Sequence, residues 1–527
     1  MHLSNNLTFT RKRRLAGLSL VLLFLSLYSA TGQKKPNIIL IMSDDMGYSD
    51  VGCYGSEIQT PNIDMLASSG VRLRQFYNMA KCAPSRSSLL TGQNIGNDKA
   101  ISIAEALKKD YFTIMCGKEH LENWVPENVK VANSFQRSFM NIGNEHMIPP
   151  SGKMSSPFER NGKKLSENEL EYEGDSFYKA DAETDHALRW MKNAKEEGKP
   201  IFLYMAYHVA HYPLQARPEE ISKYSQTYKV GWDVIRQKRY EKMQQLGIIN
   251  DKYKLTPPTD NINESRDYPN DGDSRRANIP KYRPWTQLTQ KEKDELSFEM
   301  AVYAAMIDRM DQNIGRLIKW LKDNGEYENT VIIYFTDNGP SPYDSNHNFN
   351  HPPGGPASFR SLSAAWANVA ATPFKYFKQF GHEGGSNTHF VFHWPAKIKS
   401  GKILDGPGHI TDIFPTILDI AGLQYPTEMN GKGTLPLVGT SLVPLIVNGS
   451  RTPPAFLYSG HTEKFRSYRV GDWKIVRVNK GEWELYNLRN DPTEMNNLAA
   501  QNATMVAEMD AAYEVIKKQY DKWIEKK

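Results

Sequence analysis

Three short apolar runs punctuate the chain, and each stops at chemically distinct residues. Asn37-Ile38-Ile39-Leu40-Ile41-Met42 stops at Ser43-Asp44-Asp45-Met46-Gly47. Ile201 to Ala206 (IFLYMA) stops at Tyr207-His208-Val209-Ala210-His211. Val331 to Phe335 (VIIYF) runs into Thr336-Asp337-Asn338-Gly339. A continuous apolar run this short reads as a strand buried on both faces, at the centre of a parallel sheet. Thr60-Pro61-Asn62-Ile63-Asp64 opens a helix that Gly70 ends. Met306, Ile307, Met310, Ile314, Leu317, Ile318 and Leu321 fall at helical spacing, and Gly325 closes that helix. It covers about 290–324, and its stripe is core packing. Strands alternating with helices predict an α/β fold with a large, mostly parallel sheet flanked by helices.

Residues 215–283 are polar and rich in Pro, Asp and Asn, which predicts an elaborated surface insertion. Residues 341–371 form a second long polar loop; loops of such length tend to carry function. After about Tyr425 the pattern shortens into alternating runs at Phe456-Leu457-Tyr458, Ser467 to Val470 and Lys474 to Val478. Gly471-Asp472 reads as a hairpin turn between two of them. A helix follows, over about 500–524. The expected organisation is a catalytic α/β domain over 33–425 and a smaller C-terminal antiparallel sheet with a terminal helix over 426–527. Internal repeats and low-complexity tracts are absent from the sequence.

Composition adds three points. A chain of 527 residues exceeds one ordinary core, which suits a large domain plus a small one. The 65 Lys+Arg against 60 Asp+Glu include Arg11-Lys12-Arg13-Arg14, so the rest is near neutral and offers no nucleic-acid face. That basic cluster precedes an apolar run from Leu15 to about Ala30 and the small residues Ala30-Thr31-Gly32. The pattern is that of a secretory signal peptide over 1–32, so a periplasmic or secreted protein is expected. The run falls short of the roughly 20 residues of a membrane span, so no stable membrane anchor is expected. Export permits disulfides, yet the only cysteines are Cys53, Cys82 and Cys116. An odd count flags one special thiol, and spacing leaves a Cys53–Cys116 pair open.

Open α/β sheets bind ligands beyond the carboxyl ends of their strands. Asp44-Asp45 and Asp337-Asn338 stand at two such ends. Each alone is also a common cap or turn. Together, carboxylate and amide oxygens without a thiolate cluster suit Ca²⁺ or Mg²⁺.

The segment around Cys82 carries a resemblance. Cys82-Ala83-Pro84-Ser85-Arg86, with Leu90-Thr91-Gly92, follows PNIILIMSDDMGYSDVGCYG. It resembles the C-x-P-S-R signature of the type I, formylglycine-dependent sulfatases of the alkaline phosphatase superfamily, nearest their bacterial arylsulfatase-like branch. The resemblance covers about 35–499. It implies that a separate sulfatase-maturing enzyme oxidises Cys82 to formylglycine. It also implies one calcium ion held by Asp44, Asp45, Asp337, Asn338 and the modified Cys82. Gly117-Lys118-Glu119-His120 resembles the family's Gly-Lys-x-His element, with Glu119 where Trp is usual. Ala210-His211-Tyr212-Pro213-Leu214 resembles its Pro-His-x-Pro-Leu element and points to His211. Thr372 to Lys378, followed by His382-Glu383-Gly384-Gly385, resembles its lysine element, with Lys378 rather than Lys375 as counterpart. Gly231-Trp232-Asp233, Arg236, Arg239 and Ala365-Trp366-Ala367-Asn368 look like the insert of bacterial arylsulfatases. Leu485-Tyr486-Asn487-Leu488 and Asn497-Leu498-Ala499 match the C-terminal signature.

What the resemblance implies is a sulfuric ester hydrolase. Lys118, Lys378 and the metal would clamp the sulfate, and the hydrated formylglycine would attack sulfur with help from Asp337. His211, together with Lys378, would protonate the leaving alcohol. His120 would act as base in releasing sulfate, and Arg86 would hold the hydroxyl pair. A thiol or serine lacks the second hydroxyl that this release needs. The expected substrate is a sulfated polysaccharide or oligosaccharide, such as ulvan, carrageenan, fucoidan or glycosaminoglycan. A small aryl sulfate, or a phosphoester handled by the same superfamily, is the alternative. A non-enzymatic alternative is a sulfated-glycan-binding protein with unmodified Cys82. His208 is expected at or behind the substrate, whereas His146, His186, His351 and His461 read as loop or surface positions.

Overall fold

The computed structural model describes residues 34–524 except 95–97, 122–123, 175, 260–281, 343–350, 430, 453–456, 463–464 and 479–480. The signal-peptide segment 1–32 therefore lies outside the described residues. Among the described residues, no helix is long and apolar enough to cross a membrane.

The three apolar runs become strands Asn37–Ser43, Ile201–Ala206 and Thr330–Thr336 of one ten-stranded sheet. Asn37–Ser43 lies between the other two, parallel to both. Phe112–Gly117 and Arg137–Met140 extend the parallel core beyond Ile201–Ala206. Phe390–His393 joins Thr330–Thr336 antiparallel on the other side. Alternation along each run explains its composition. Ile39 and Ile41 enter one apolar core, and Ile38, Leu40 and Met42 enter a second on the opposite face. Both faces are buried, so Ile38 to Met42 are apolar at every position.

The long helix spans Gln290–Asp323 and packs its expected stripe into the first core. Its start is fixed by a capping box: Thr289 N–H donates to Glu292 Oε2 at 2.8 Å, and Glu292 N–H donates to Thr289 Oγ1 at 3.3 Å. The C-terminal strands Leu457–Thr462, Phe465–Val470, Trp473–Val478 and Glu484–Asn487 form a four-stranded antiparallel sheet. The helix Ala503–Ile524 packs against it. The fold is thus the expected one, a large mixed sheet with a parallel centre plus a small antiparallel sheet and a terminal helix.

Several local expectations are corrected. The described part of 215–283 is not a polar surface excursion. It forms helices Pro218–Tyr224 and Trp232–Gln245 and packs on the main body. Arg239 is buried because its guanidinium donates to Asp50 Oδ1 at 2.7 Å and to both Glu57 oxygens at 2.8 Å. Tyr303 and Tyr228 complete those carboxylates. Arg236 is buried against the Thr256 carbonyl at 2.5 Å. Trp232, Trp285 and Trp366 pack edge to face around them. The described part of 341–371 likewise holds a buried helix, Ala364–Ala370. His146 and His186 are buried rather than superficial. His186 stacks on Phe139 at 3.8 Å between centroids, with Nδ1 bonded to the Ala182 carbonyl. His351 is exposed, and the His461 side chain lies outside the described residues. Cys53, Cys82 and Cys116 are all free thiols, so the Cys53–Cys116 pair does not form.

A buried ion pair is costly to break from one side only, because the remaining charge is stranded. Arg239→Met is therefore expected to lower unfolding stability by about 3–5 kcal/mol. A denaturant titration measures it; an unshifted midpoint would show that Asp50 and Glu57 do not depend on Arg239.

Candidate active site

Backbone hydrogen bonds tie the three strand ends together beyond the sheet. Asp337 N–H donates to the Ser43 carbonyl at 3.2 Å, and Asp44 N–H donates to the Val209 carbonyl at 2.7 Å. Ala210 N–H returns to the Asp44 carbonyl at 2.6 Å. Asp45 adopts a left-handed backbone at φ 61°, which aspartate accepts more readily than most residues. These bonds bring Asp44, Asp45, Asp337, Asn338 and His211 to one place.

Two further loops arrive by close backbone approach. Gly117 ends its strand at φ 117°, where a Cβ would stand 2.0 Å from the Ala206 carbonyl oxygen. The next residue, Lys118, donates its N–H to that same oxygen at 2.8 Å. Gly339 faces Gly384, and a Cβ there would meet the Gly384 carbonyl oxygen at 2.0 Å. This contact seats the loop carrying Lys378 against the end of Thr330–Thr336. It is also what the Gly384-Gly385 pair does; a Cβ on Gly384 would strike Tyr376 O at 2.2 Å.

The side chains then interlock. Lys118 Nζ donates to Asp44 Oδ2 at 2.5 Å, and Lys378 Nζ donates to Asp45 Oδ1 at 2.5 Å. Lys375 instead reaches the Tyr486 hydroxyl at 3.0 Å. Arg86 holds Asp337 Oδ2 through Nη2 at 2.8 Å and Nε at 3.0 Å, with Nη1 on the Lys118 carbonyl at 2.8 Å. Cys82 opens the buried helix Cys82–Thr91, and its Sγ lies with oxygens of Asp44 and Asp337 in a group whose atoms are all within 4.8 Å. His211 Nε2 stands 3.6 Å from Asp45 Oδ2. Asn338 Nδ2 donates to Asp45 Oδ1 at 2.7 Å. Of the ten residues named from sequence, nine are joined here. The tenth, His120, follows Lys118 by two residues, partly exposed, at φ 47°. Glu119 does not enter the cluster; its carboxylate accepts the Val131 N–H at 2.8 Å.

The electrostatics are those of buried carboxylates set among buried cations. Burial, then the charge of Asp44, drives Asp337 well above the usual carboxylate range. Burial raises Asp45 to about 6 against the pull of Lys378. Burial opposes ionisation of Asp44 too, but Lys118, His211 and Arg86 together hold it well below its ordinary value. Burial pushes the Cys82 thiol up, yet Lys378 and Lys118 bring it net downward. Three buried oxygens, Asp44 Oδ1, Asp45 Oδ2 and Asn338 Oδ1, have no hydrogen-bond partner. An all-oxygen set of orphaned acceptors among repelling carboxylates fits a hard divalent cation.

Behind His211 lies a second buried group, of which the sequence singled out only His208. His208 Nδ1 stands 3.4 Å from Glu183 Oε1, and His146 Nε2 stands 2.8 Å from the His211 carbonyl oxygen. Glu183 and His146 carry no motif, and their positions give no signal beyond a charged residue within an otherwise buried helix face. Burial raises Glu183 to about 8.

A buried cluster of cations and carboxylates at the carboxyl edge of a parallel sheet marks an α/β protein with a centre suited to an anionic ligand. Comparison with known proteins narrows the class. The Sulfatase family model matches residues 36–423, and the N-sulphoglucosamine sulphohydrolase C-terminal model matches 374–519. An arylsulfatase of Klebsiella aerogenes is 31% identical over 457 residues, covering 78% of this chain and 92% of its own. A sulfatase of Schizosaccharomyces pombe is 30% identical over 538 residues, covering 90% and 92%. The crystal structure of Ps i-CgsB in complex with k-i-k-neocarrahexaose superposes with a TM-score of 0.62 at 25% identity, covering 91% of this chain and 92% of that one. The chain belongs to the sulfatase family and is a sulfuric ester hydrolase.

Two outcomes follow. Calcium added to chelator-stripped protein is expected to raise the melting temperature by mass action, and Asp45→Asn should abolish that rise. An identical calcium response in the variant would remove Asp45 from the site. Separately, the folded protein holds the Glu183 proton more tightly than an unfolded glutamate near 4.5 does, so that contribution is complete below about 4.5 and lost as pH rises through about 8. Glu183→Gln should therefore melt higher than the parent above pH about 8, and no higher below about 4.5. Parallel pH profiles would refute this assignment.

Proposed function

We propose that this chain is an exported, calcium- and formylglycine-dependent sulfatase that removes sulfate from a sulfated polysaccharide or oligosaccharide. One observation carries the reading. Cys82, in its sequence signature, heads a buried helix and shares a site with Asp44, Asp337, Lys118 and Lys378, rather than packing as an inert thiol. The cysteine side chain stands where the aldehyde hydrate would stand. When present, that hydrate supplies an oxygen nucleophile with a second hydroxyl, and the cation polarises the sulfate oxygens.

The chain's own groups fit the remaining tasks. The Lys118 and Lys378 ammonium groups exchange their carboxylate partners for the oxygens of a singly charged sulfate ester, where charge develops as the S–O bond lengthens. Arg86 keeps Asp337 in place beside residue 82 as a proton acceptor. His211 Nδ1 lies 2.7 Å from the Tyr212 carbonyl, which only accepts, so Nδ1 carries a proton. Nε2 is then the nitrogen that exchanges a proton with the leaving alcohol. His120 remains the candidate base for sulfate release. Calcium is the expected cation, held by Asp44, Asp45, Asp337 and Asn338 with residue 82.

The glycan assignment is supported by the carrageenan-type hexasaccharide named for the bound structural relative. The export assignment rests on the pattern of residues 1–32. A small aryl sulfate is the second reading, favoured by the identity to the Klebsiella arylsulfatase. The test is sulfate release from p-nitrophenyl sulfate, glycosaminoglycans, carrageenan, ulvan and fucoidan by protein co-expressed with a maturing enzyme. Release from a glycan is expected, falling by more than about a thousandfold in Cys82→Ala. The residue-82 peptide should carry the aldehyde mass. Turnover by protein whose residue 82 is an intact thiol would overturn the formylglycine reading. Release from p-nitrophenyl sulfate alone would replace the glycan with an aryl ester.

A further inference from the structure

The buried group behind His211 has a defined geometry. His146 follows strand Arg137–Met140, and His208 follows strand Ile201–Ala206. Lys179 and Glu183 lie one turn apart on helix Lys179–Glu196. All four side chains are buried, and the ring centroids of His146 and His208 are 6.4 Å apart.

His146 acts on a backbone atom of the catalytic turn. Its Nε2 is 2.8 Å from the His211 carbonyl oxygen. A carbonyl only accepts, so Nε2 carries the proton and donates. Burial, and then the nearby Lys179 charge, lowers His146 to about 3, so the ring stays neutral in ordinary buffers. The other backbone polar group of the same residue is held as well: His211 N–H donates to the His208 carbonyl at 2.8 Å. Asp44 grips the two residues between through Val209 O and Ala210 N. The turn is therefore clamped from three sides, and His146 is the only one of the three clamps made by a side chain.

We infer that His146 is a positioning residue for His211, holding the turn so that Nε2 of His211 meets the oxygen of the departing alcohol. This rests on the reading of His211 as the acid. In that step the bond between sulfur and the ester oxygen breaks, and its electron pair stays on the oxygen. The proton on His211 Nε2 moves to that oxygen, leaving the alcohol and a neutral imidazole. A weakly basic leaving group departs without this proton; a strongly basic one does not. Loss of His146 therefore penalises poor leaving groups selectively.

The experiment uses the mature enzyme and a series of phenyl sulfates running from 4-nitrophenyl to 4-methylphenyl sulfate. His146→Leu is expected to lower kcat/KM on the 4-methylphenyl ester by about 10- to 100-fold, and on the 4-nitrophenyl ester by less than about threefold. His146→Gln, whose amide N–H can replace Nε2–H, should recover most of the loss. Melting curves check that each variant is folded. An equal fall across the series, or none, would overturn the positioning role. His211→Ala is the control: it must show the same selectivity, more strongly. If His211→Ala lowers every ester equally, the reading of His211 as acid fails and takes the proposal with it. If His211→Ala is selective and His146→Leu is not, only the positioning role fails.

Discussion

Mutual repulsion among Asp44, Asp45 and Asp337 is the constraint around which the catalytic centre is organised. Isolated buried carboxylates are among the most expensive groups a fold can hold. The chain offsets them with Lys118, Lys378 and the Arg86 guanidinium, each itself buried. Those cations come from three separate segments, the helix Cys82–Thr91, the turn after Phe112–Gly117 and the loop carrying Lys378, so the charges are satisfied only when these segments meet. Three acceptor atoms remain orphaned even then. Orphaned acceptors among repelling carboxylates, beside two buried lysines, are a donor set that fits a divalent cation and an anionic ligand.

The C-terminal sheet takes part in that arrangement rather than standing apart from it. Lys474, on strand Trp473–Val478, is buried between Glu383 at 2.7 Å and Glu494 at 2.9 Å. Glu383 also receives the Tyr77 hydroxyl at 2.9 Å, and its N–H donates to Glu494 at 2.9 Å. Glu383 sits just before Gly384-Gly385, the pair that seats the Lys378 loop against Gly339. The small sheet therefore braces, through one buried lysine, the loop that delivers Lys378 to Asp45. Apolar contacts run the same way: Ile475, Leu485 and Tyr513 belong to the core that also holds Leu40 and Ile333.

The parallel centre was legible because its strands are unbroken apolar runs that end at acids and histidines. The long helix was legible because its stripe has helical period and Gly325 closes it. Phe112–Gly117 was not, because FTIMCG mixes small, polar and apolar residues and has no period of its own. Lys118 was accordingly reached only through the family resemblance, not through a strand end. Patterning also failed where polar or titratable side chains are buried. Arg236, Arg239, Glu183 and His146 look like surface residues in sequence, since their partners are remote in the chain. Hydropathy sees one residue at a time, whereas the burial of Arg239 depends on Asp50, Glu57 and Tyr303 arriving from elsewhere.

His211 shows how a backbone can set chemistry that no side-chain motif encodes. The Tyr212 carbonyl cannot be protonated in water, so Nδ1 stays a donor across the pH range and Nε2 alone is available for transfer. Burial, then the charge of Lys118, disfavours the His211 imidazolium and lowers its pKa. A sulfate ester brings a negative charge to Lys118 and Lys378, two of the cations that repel an imidazolium there. On the proposed reading, the lysines that clamp the sulfate are also groups whose charge disfavours the His211 imidazolium, so a bound sulfate ester offsets part of that repulsion.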